Sequence, residues 1–263
     1  MARKTNSGTE QVEAVEKQLD KAEELLKRAE ELEKRANEIE GRFESGKAPA
    51  VTTAARPTDI TVVLDRSGSM EAIKSDTIGS FNSFLAEQRK VTGRTAVTLV
   101  QFDDQYESVY EGRPLDDTPD LTDDTFVPRG MTALLDAIGK TIVRTDERFA
   151  RQDDPAELVI FVILTDGMEN ASVEYDRKKI FKLIRNRERE LNWQFIFLGA
   201  NQDAIDEAAH IGIASERAMT YDADHIGNAS FALARKVVRY RSSGKTLDLA
   251  FTPQERHEAN PDA

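Results

Sequence analysis

Residues 59–70 read DITVVLDRSGSM. The first six, rich in β-branched side chains, describe a short strand covered on both faces. Behind it, Asp65-Arg66-Ser67-Gly68-Ser69 sets alternate side chains on one side of an extended loop, so the oxygens of Asp65, Ser67 and Ser69 can converge on one point. Gly68 is expected to permit the sharp turn into a following helix.

Runs of the same kind recur at 96–102 (AVTLVQF), 158–164 (LVIFVIL) and 193–198 (WQFIFL). Between and after them lie helical patterns at 71–90, 132–148, 176–191, 202–210 and 223–242. Strand and helix alternating in this way predict an α/β domain over residues 58–242, with a mainly parallel sheet and helices on both sides. Residues 105–110 follow Phe102 across a short acidic turn and read as an antiparallel edge hairpin. Residues 243–263 form a C-terminal tail whose last dozen, mostly polar, are expected to be disordered.

Upstream, residues 46–57 (GKAPAVTTAARP) mix small residues, threonines and two prolines and read as a linker. Residues 1–45 carry a long, charged amphipathic helix over 9–44. That stretch has no proline, and Glu precedes a basic residue by four at Glu13/Lys17, Glu23/Lys27, Glu24/Arg28, Glu30/Lys34, Glu31/Arg35 and Glu38/Arg42. Its apolar stripe from Val12 to Phe43 is thin and coiled-coil-like, with alanine at three positions. Two readings stand: homo-oligomerisation or docking on a partner helix, and a solvated, salt-bridged helix.

The chain has 263 residues and a formal net charge of −12. Residues 1–50 hold 10 Lys/Arg against 12 Asp/Glu, which leaves −10 for residues 51–263. An acidic domain repels phosphate backbones and anionic lipid and favours cations or basic partners, so neither nucleic acid nor membrane is expected as ligand. There is no cysteine, no apolar leader in MARKTNSGTE and no apolar run of the ~20 residues a membrane span needs. The expectation is a soluble, cytoplasmic protein.

In open α/β sheets ligands bind outside the carboxyl ends of the strands. Three segments there supply oxygen donors: Asp65 to Ser69, Pro128 to Thr132, and Thr165-Asp166-Gly167. Asp65, Ser67, Ser69, Thr132 and Asp166 make two carboxylates and three hydroxyls, with no nitrogen or sulfur. Such hard donors suit Mg²⁺, with Mn²⁺ or Ca²⁺ as alternatives, and argue against zinc or copper. Two negative charges do not saturate a divalent ion, so a position can remain for an acid from outside.

Asp65 to Ser69 resembles the D-x-S-x-S signature of von Willebrand factor type A (VWA) domains, and Thr132 and Asp166 match the two further positions of that family's metal-ion-dependent adhesion site (MIDAS). The spacings of 67 and 34 residues are similar to the family's as well. The resemblance covers about residues 58–242. It implies a doubly wound, Rossmann-like fold with one antiparallel edge strand. It also implies Ser67, Ser69 and Thr132 as direct ligands, with Asp65 and Asp166 often acting through water. Family members commonly bind proteins by letting a partner's Asp or Glu complete the metal sphere. Similar intracellular domains of bacteria serve as adaptors for ring-forming ATPases, stress-resistance systems or phage-related functions.

Weaker signals have plainer readings. The carboxylates of residues 116–124 read as a solvated acidic loop, and Asp103 and Asp104 as hairpin-turn aspartates. Trp193 is expected in the core. Met131, Glu169 and Asn170 are expected to line the rim of the metal site and tune partner choice. His210, His225 and His257 lack metal-ligand spacing. A nucleophile elbow, a catalytic cysteine and a phosphate-cradling Gly-Lys loop are all missing from the sequence. The expectation is therefore not an enzyme. The alternatives are metal-assisted phosphoryl transfer or hydrolysis at Asp65/Asp166, which would lack a second carboxylate at position 67, and an assembly protein acting through the N-terminal helix.

Overall fold

The structure, a computed structural model, describes residues 56–200 and 204–261. The helix expected over 9–44 and all of the linker except Arg56 and Pro57 lie outside the described residues.

Six strands form one sheet: β1 (Thr58–Asp65), β2 (Thr95–Phe102), β3 (Tyr106–Pro114), β4 (Leu158–Thr165), β5 (Gln194–Gly199) and β6 (Ala218–Thr220). Their order is β3-β2-β1-β4-β5-β6, with β3 antiparallel to β2 and the other pairs parallel. The strands of the middle are apolar nearly end to end because helices cover both faces: every residue of β1, β4 and β5 is buried. The edge strand β3 alternates half-buried and exposed residues, as a strand with one wet face must.

Side chains alternate across β1. Ile60, Val62 and Leu64 pack with α1 (Lys74–Arg89), α5 (Ile226–Ser243) and α6 (Pro253–Ala259). Val63 joins the opposite layer with Phe161 and Phe195, under α2 (Leu134–Phe149), α3 (Arg177–Leu191) and α4 (Ala204–His210). Trp193 is buried there, stacked on Phe161 at 5.3 Å and edge-on to Phe149 at 5.8 Å. The register sets Asp65 opposite Phe102, Leu64 opposite Leu164 and Thr165 opposite Gly199. The carboxyl ends are therefore level, and their loops leave the sheet along one line.

One strand was not foreseen, and two local expectations change. β6 spans three residues, too short to leave a hydrophobic signature. Gly68 has a φ open to any residue, and a Cβ there would meet the Gly130 carbonyl at an ordinary 3.5 Å; the constrained glycine is Gly130, at φ +69°. The tail expected to be disordered is folded through Pro261. Thr252 and Glu255 make a reciprocal capping box with Pro253 at the first helical position, and Leu249, Phe251 and Ala259 are buried. Glu255 also pairs at 2.9 Å with Lys236, which is buried in α5. Three apolar anchors in a polar segment sufficed once the cap was in place. Among the described residues no helix is long and apolar enough to cross a membrane.

Candidate metal centre

Asp65 ends β1 and is wholly buried. Both its oxygens are engaged: Ser67 N–H donates to Oδ1 at 2.6 Å and the Thr165 hydroxyl to Oδ2 at 2.5 Å. The first bond folds residues 65–67 into a tight turn, and the second ties β1 to the end of β4. Burial pushes the Asp65 carboxyl up to about 6, against those two hydrogen bonds and with a smaller contribution from Asp166. Asp166 is raised by burial too, while the Ser69 hydroxyl, which donates to its Oδ1 at 2.6 Å, pulls it down.

The hydroxyls gather beside Gly167. A Cβ built on that glycine would lie 3.1 Å from Thr132 Oγ1, 3.4 Å from Ser69 Oγ and 3.7 Å from Ser67 Oγ. Ser67 and Ser69 hydroxyls are 3.1 Å apart. Ser67 and Thr132 are buried, whereas Ser69 is exposed and Asp166 half-buried, so the cluster opens to solvent on one side. All five predicted residues thus reach one place: three hydroxyls line a cradle that any side chain on residue 167 would fill, Asp166 touches it through Ser69, and Asp65 holds the first loop from behind. An all-oxygen set of this kind fits a hard divalent cation. Among the described residues no group of three or more His, Cys, Asp or Glu gathers as a metal site. Here the donors are chiefly hydroxyls.

Several residues that position the cradle were missed in the sequence. Asp103 is fully buried: its Oδ1 accepts from Gln105 N–H at 2.6 Å, the local turn that was expected, but its Oδ2 takes Arg66 Nε at 3.1 Å and Arg129 Nε at 2.8 Å. Burial raises this carboxyl, and the hydrogen bonds and two guanidiniums outweigh it and hold it below its ordinary value. Arg66 and Arg129 belong to the first and second loops, which also join through Arg129 N–H to Arg66 O at 2.8 Å and Gly68 N–H to Gly130 O at 3.3 Å. Gly130 stands at φ +69°, where a side chain is strained, and a Cβ there would also displace the Asp104 carboxylate, whose Oδ1 lies 2.3 Å away.

The third loop is braced as firmly. Thr132 N–H donates to Asn170 Oδ1 at 2.8 Å, and Asn170 N–H returns to Thr132 O at 3.0 Å. Glu169 accepts from the backbone N–H of Leu135, Ala171 and Ser172 at 2.8 to 3.0 Å. Asp136 accepts from those of Val173, Glu174 and Tyr175 at the same range. Glu169 and Asn170, expected at the rim as specificity residues, are therefore engaged in holding the loop on the first turn of α2. Tyr221 was missed as well. Its hydroxyl donates to Thr165 O at 3.2 Å, and burial, with the nearby Asp166 and Asp65 charges, pushes it well above the ordinary phenol value. No sequence signal connects these partners, because most lie 26 to 56 residues apart.

No family model and no curated protein sequence matches the chain. Among solved structures it is similar to proximal thread matrix protein 1 of the mussel byssus, at 18% identity and a TM-score of 0.51, over 70% of this chain and 46% of that one. A second structure of the mussel protein, described as having a zinc-occupied MIDAS motif, gives 17%, 0.51, 70% and 46%. The pilus adhesin SpaC of Lactobacillus rhamnosus GG, in its open conformation, gives 14% and 0.52, over 70% of this chain and 30% of that one. The chain spans less than half the length of these neighbours. At such identities the likeness is one of fold: the doubly wound α/β sheet that the resemblance to VWA domains implies.

Proposed function

We propose that residues 58–242 are a metal-dependent protein-binding module. In this reading Ser67, Ser69 and Thr132 hold a divalent cation, Asp65 and Asp166 stand behind them, and an Asp or Glu of a partner protein completes the sphere. The observation that carries the reading is the convergence of three hydroxyls from two loops on one cradle beside Gly167, open to solvent at Ser69. When bound, the cation supplies an electrophilic position for an outside carboxylate. The chain's own part is to keep that position accessible: Asp65 and Thr165 lock the first loop to the sheet, and Thr132, Asn170 and Glu169 lock the second loop to the third.

Hard oxygen donors favour Mg²⁺, Mn²⁺ or Ca²⁺. The zinc in the mussel protein's motif puts Zn²⁺ among the ions to be tested, against the argument from donor hardness alone. A binding role is supported over a hydrolytic one by the hydrogen bonds that give the carboxylates a holding part, Asp65 at both oxygens from Ser67 and Thr165 and Asp166 at Oδ1 from Ser69. A cytoplasmic adaptor role, with a ring-forming ATPase or a stress- or phage-related assembly as partner, rests on the family resemblance.

The test is thermal unfolding with each cation and with EDTA, in wild type and in Gly167→Ala. A cation at a hundredfold its Kd should stabilise wild type by about 2.7 kcal/mol, a rise of roughly 5–10 °C in Tm. The added methyl should abolish that rise while the EDTA curves of both proteins stay within a few degrees. A wild type indifferent to all four ions would defeat the proposal.

A further inference from the structure

Nine large apolar side chains are exposed among the described residues, and four of them stand on or beside the second and third of the loops that meet at the site: Val127 (52% exposed), Met131 (55%), Met168 (67%) and Val173 (89%). Met131 directly precedes Thr132 and Met168 directly follows Gly167, so each Cα is one peptide unit, about 3.8 Å, from a residue of the cradle.

These side chains do not stand out because the loops are slack. Asp136 and Glu169 together accept six backbone N–H groups from residues 135–175, and Thr132 is bonded at both its N–H and its C=O to the third loop. The Tyr175 ring lies so close over α2 that a Cβ on Gly139 would meet it at 2.5 Å. A braced backbone holding apolar side chains in water marks a contact surface, since association relieves the hydration that the fold leaves in place. Methionine is suited to such a surface because its unbranched thioether adapts to neighbours of different shape. Charge narrows the partner further: residues 51–263 carry −10, so a run of acids is repelled by the domain as a whole.

We infer that Met131 and Met168, extended by Val127 and Val173, form an apolar collar around the cradle, and that the carboxylate it receives is a single Asp or Glu flanked by large apolar side chains. This rests on the metal-dependent binding proposed above. The collar supplies contact area, and the cation supplies the acid requirement.

Four labelled peptides of one length separate the two. Two carry a central glutamate flanked by leucines or by serines, and two carry glutamine in the same settings. Binding to the full chain is followed by fluorescence anisotropy in Mg²⁺, Mn²⁺ and EDTA. The leucine-flanked glutamate should bind about tenfold or more tighter than the serine-flanked one, and EDTA should abolish the binding of both. The double variant Met131→Ser/Met168→Ser should reduce that preference to about threefold or less, with its cation-induced rise in Tm unchanged. Equal affinity for both glutamate peptides would overturn the collar and leave the metal-carboxylate reading standing. Leucine-dependent binding that survives EDTA and glutamine would overturn that reading, and this inference with it. No glutamate-dependent binding at roughly millimolar peptide would count against both.

Discussion

At the scale of single residues, the loops of the site are held by buried groups with several partners each. Asp103 pairs with two guanidiniums from different loops and satisfies a backbone N–H, all while shielded from water. Replacing it with alanine leaves Arg66 buried with only Glu107, at 2.5 Å, as counter-charge, and should cost about 3 kcal/mol. Its titration has a defined sign. Because the folded state holds the carboxyl below its ordinary value, the stability it contributes is complete above about pH 4 and is lost as pH falls further, through the folded value. Urea titrations of wild type and Asp103→Asn should differ most near neutrality and converge in strong acid; a gap constant with pH would contradict this account. Gly130 poses a steric problem. At φ +69°, with Asp104 Oδ1 2.3 Å from any Cβ, Gly130→Ala should destabilise by about 1–3 kcal/mol and weaken cation-induced stabilisation along with it. That Asp65, Ser67, Ser69, Thr132 and Asp166 gather near one another was legible because each lies on one of three short loops. Their supports were not, since Asp65 meets Thr165 across 100 residues and Asp136 meets Tyr175 across 39.

At the scale of elements, legibility followed length and periodicity. The buried strands β1, β2, β4 and β5 announce themselves as apolar runs, and α1, α2, α3 and α5 as long periodic patterns. β6, with three residues, has too few positions for a period to emerge, and α6, as short as the legible α4, lies in a segment whose polar composition reads as a tail. The cue for α6 was present in another form, as Thr252-Pro253-Gln254-Glu255, a helix start written in capping chemistry. Glu255 serves that cap and also the ammonium of Lys236, which α5 buries. Removing its carboxylate strands a buried cation and unmakes the cap, so Glu255→Ala should lower stability by about 3 kcal/mol. Glu255→Gln should recover part of that, because an amide still accepts from Thr252 N–H. Chemical denaturation of the three proteins measures the order; equal midpoints would place the tail outside the cooperative unit.

At the scale of the whole molecule, the sheet is a level platform with the loops of the candidate metal site at one margin. The opposite margin contains the chain's only tryptophan. Trp193 sits just before β5, between the rings of Phe161 and Phe149, while the cradle lies past the far ends of β1 and β4. The strand length alone sets them about 17 Å or more apart. Its emission is therefore an internal optical gauge of the core that the arrival of a cation does not touch directly. Unfolding can be read from light without a label, and a cation's effect on it is then purely a displacement of the transition, uncontaminated by quenching at the site.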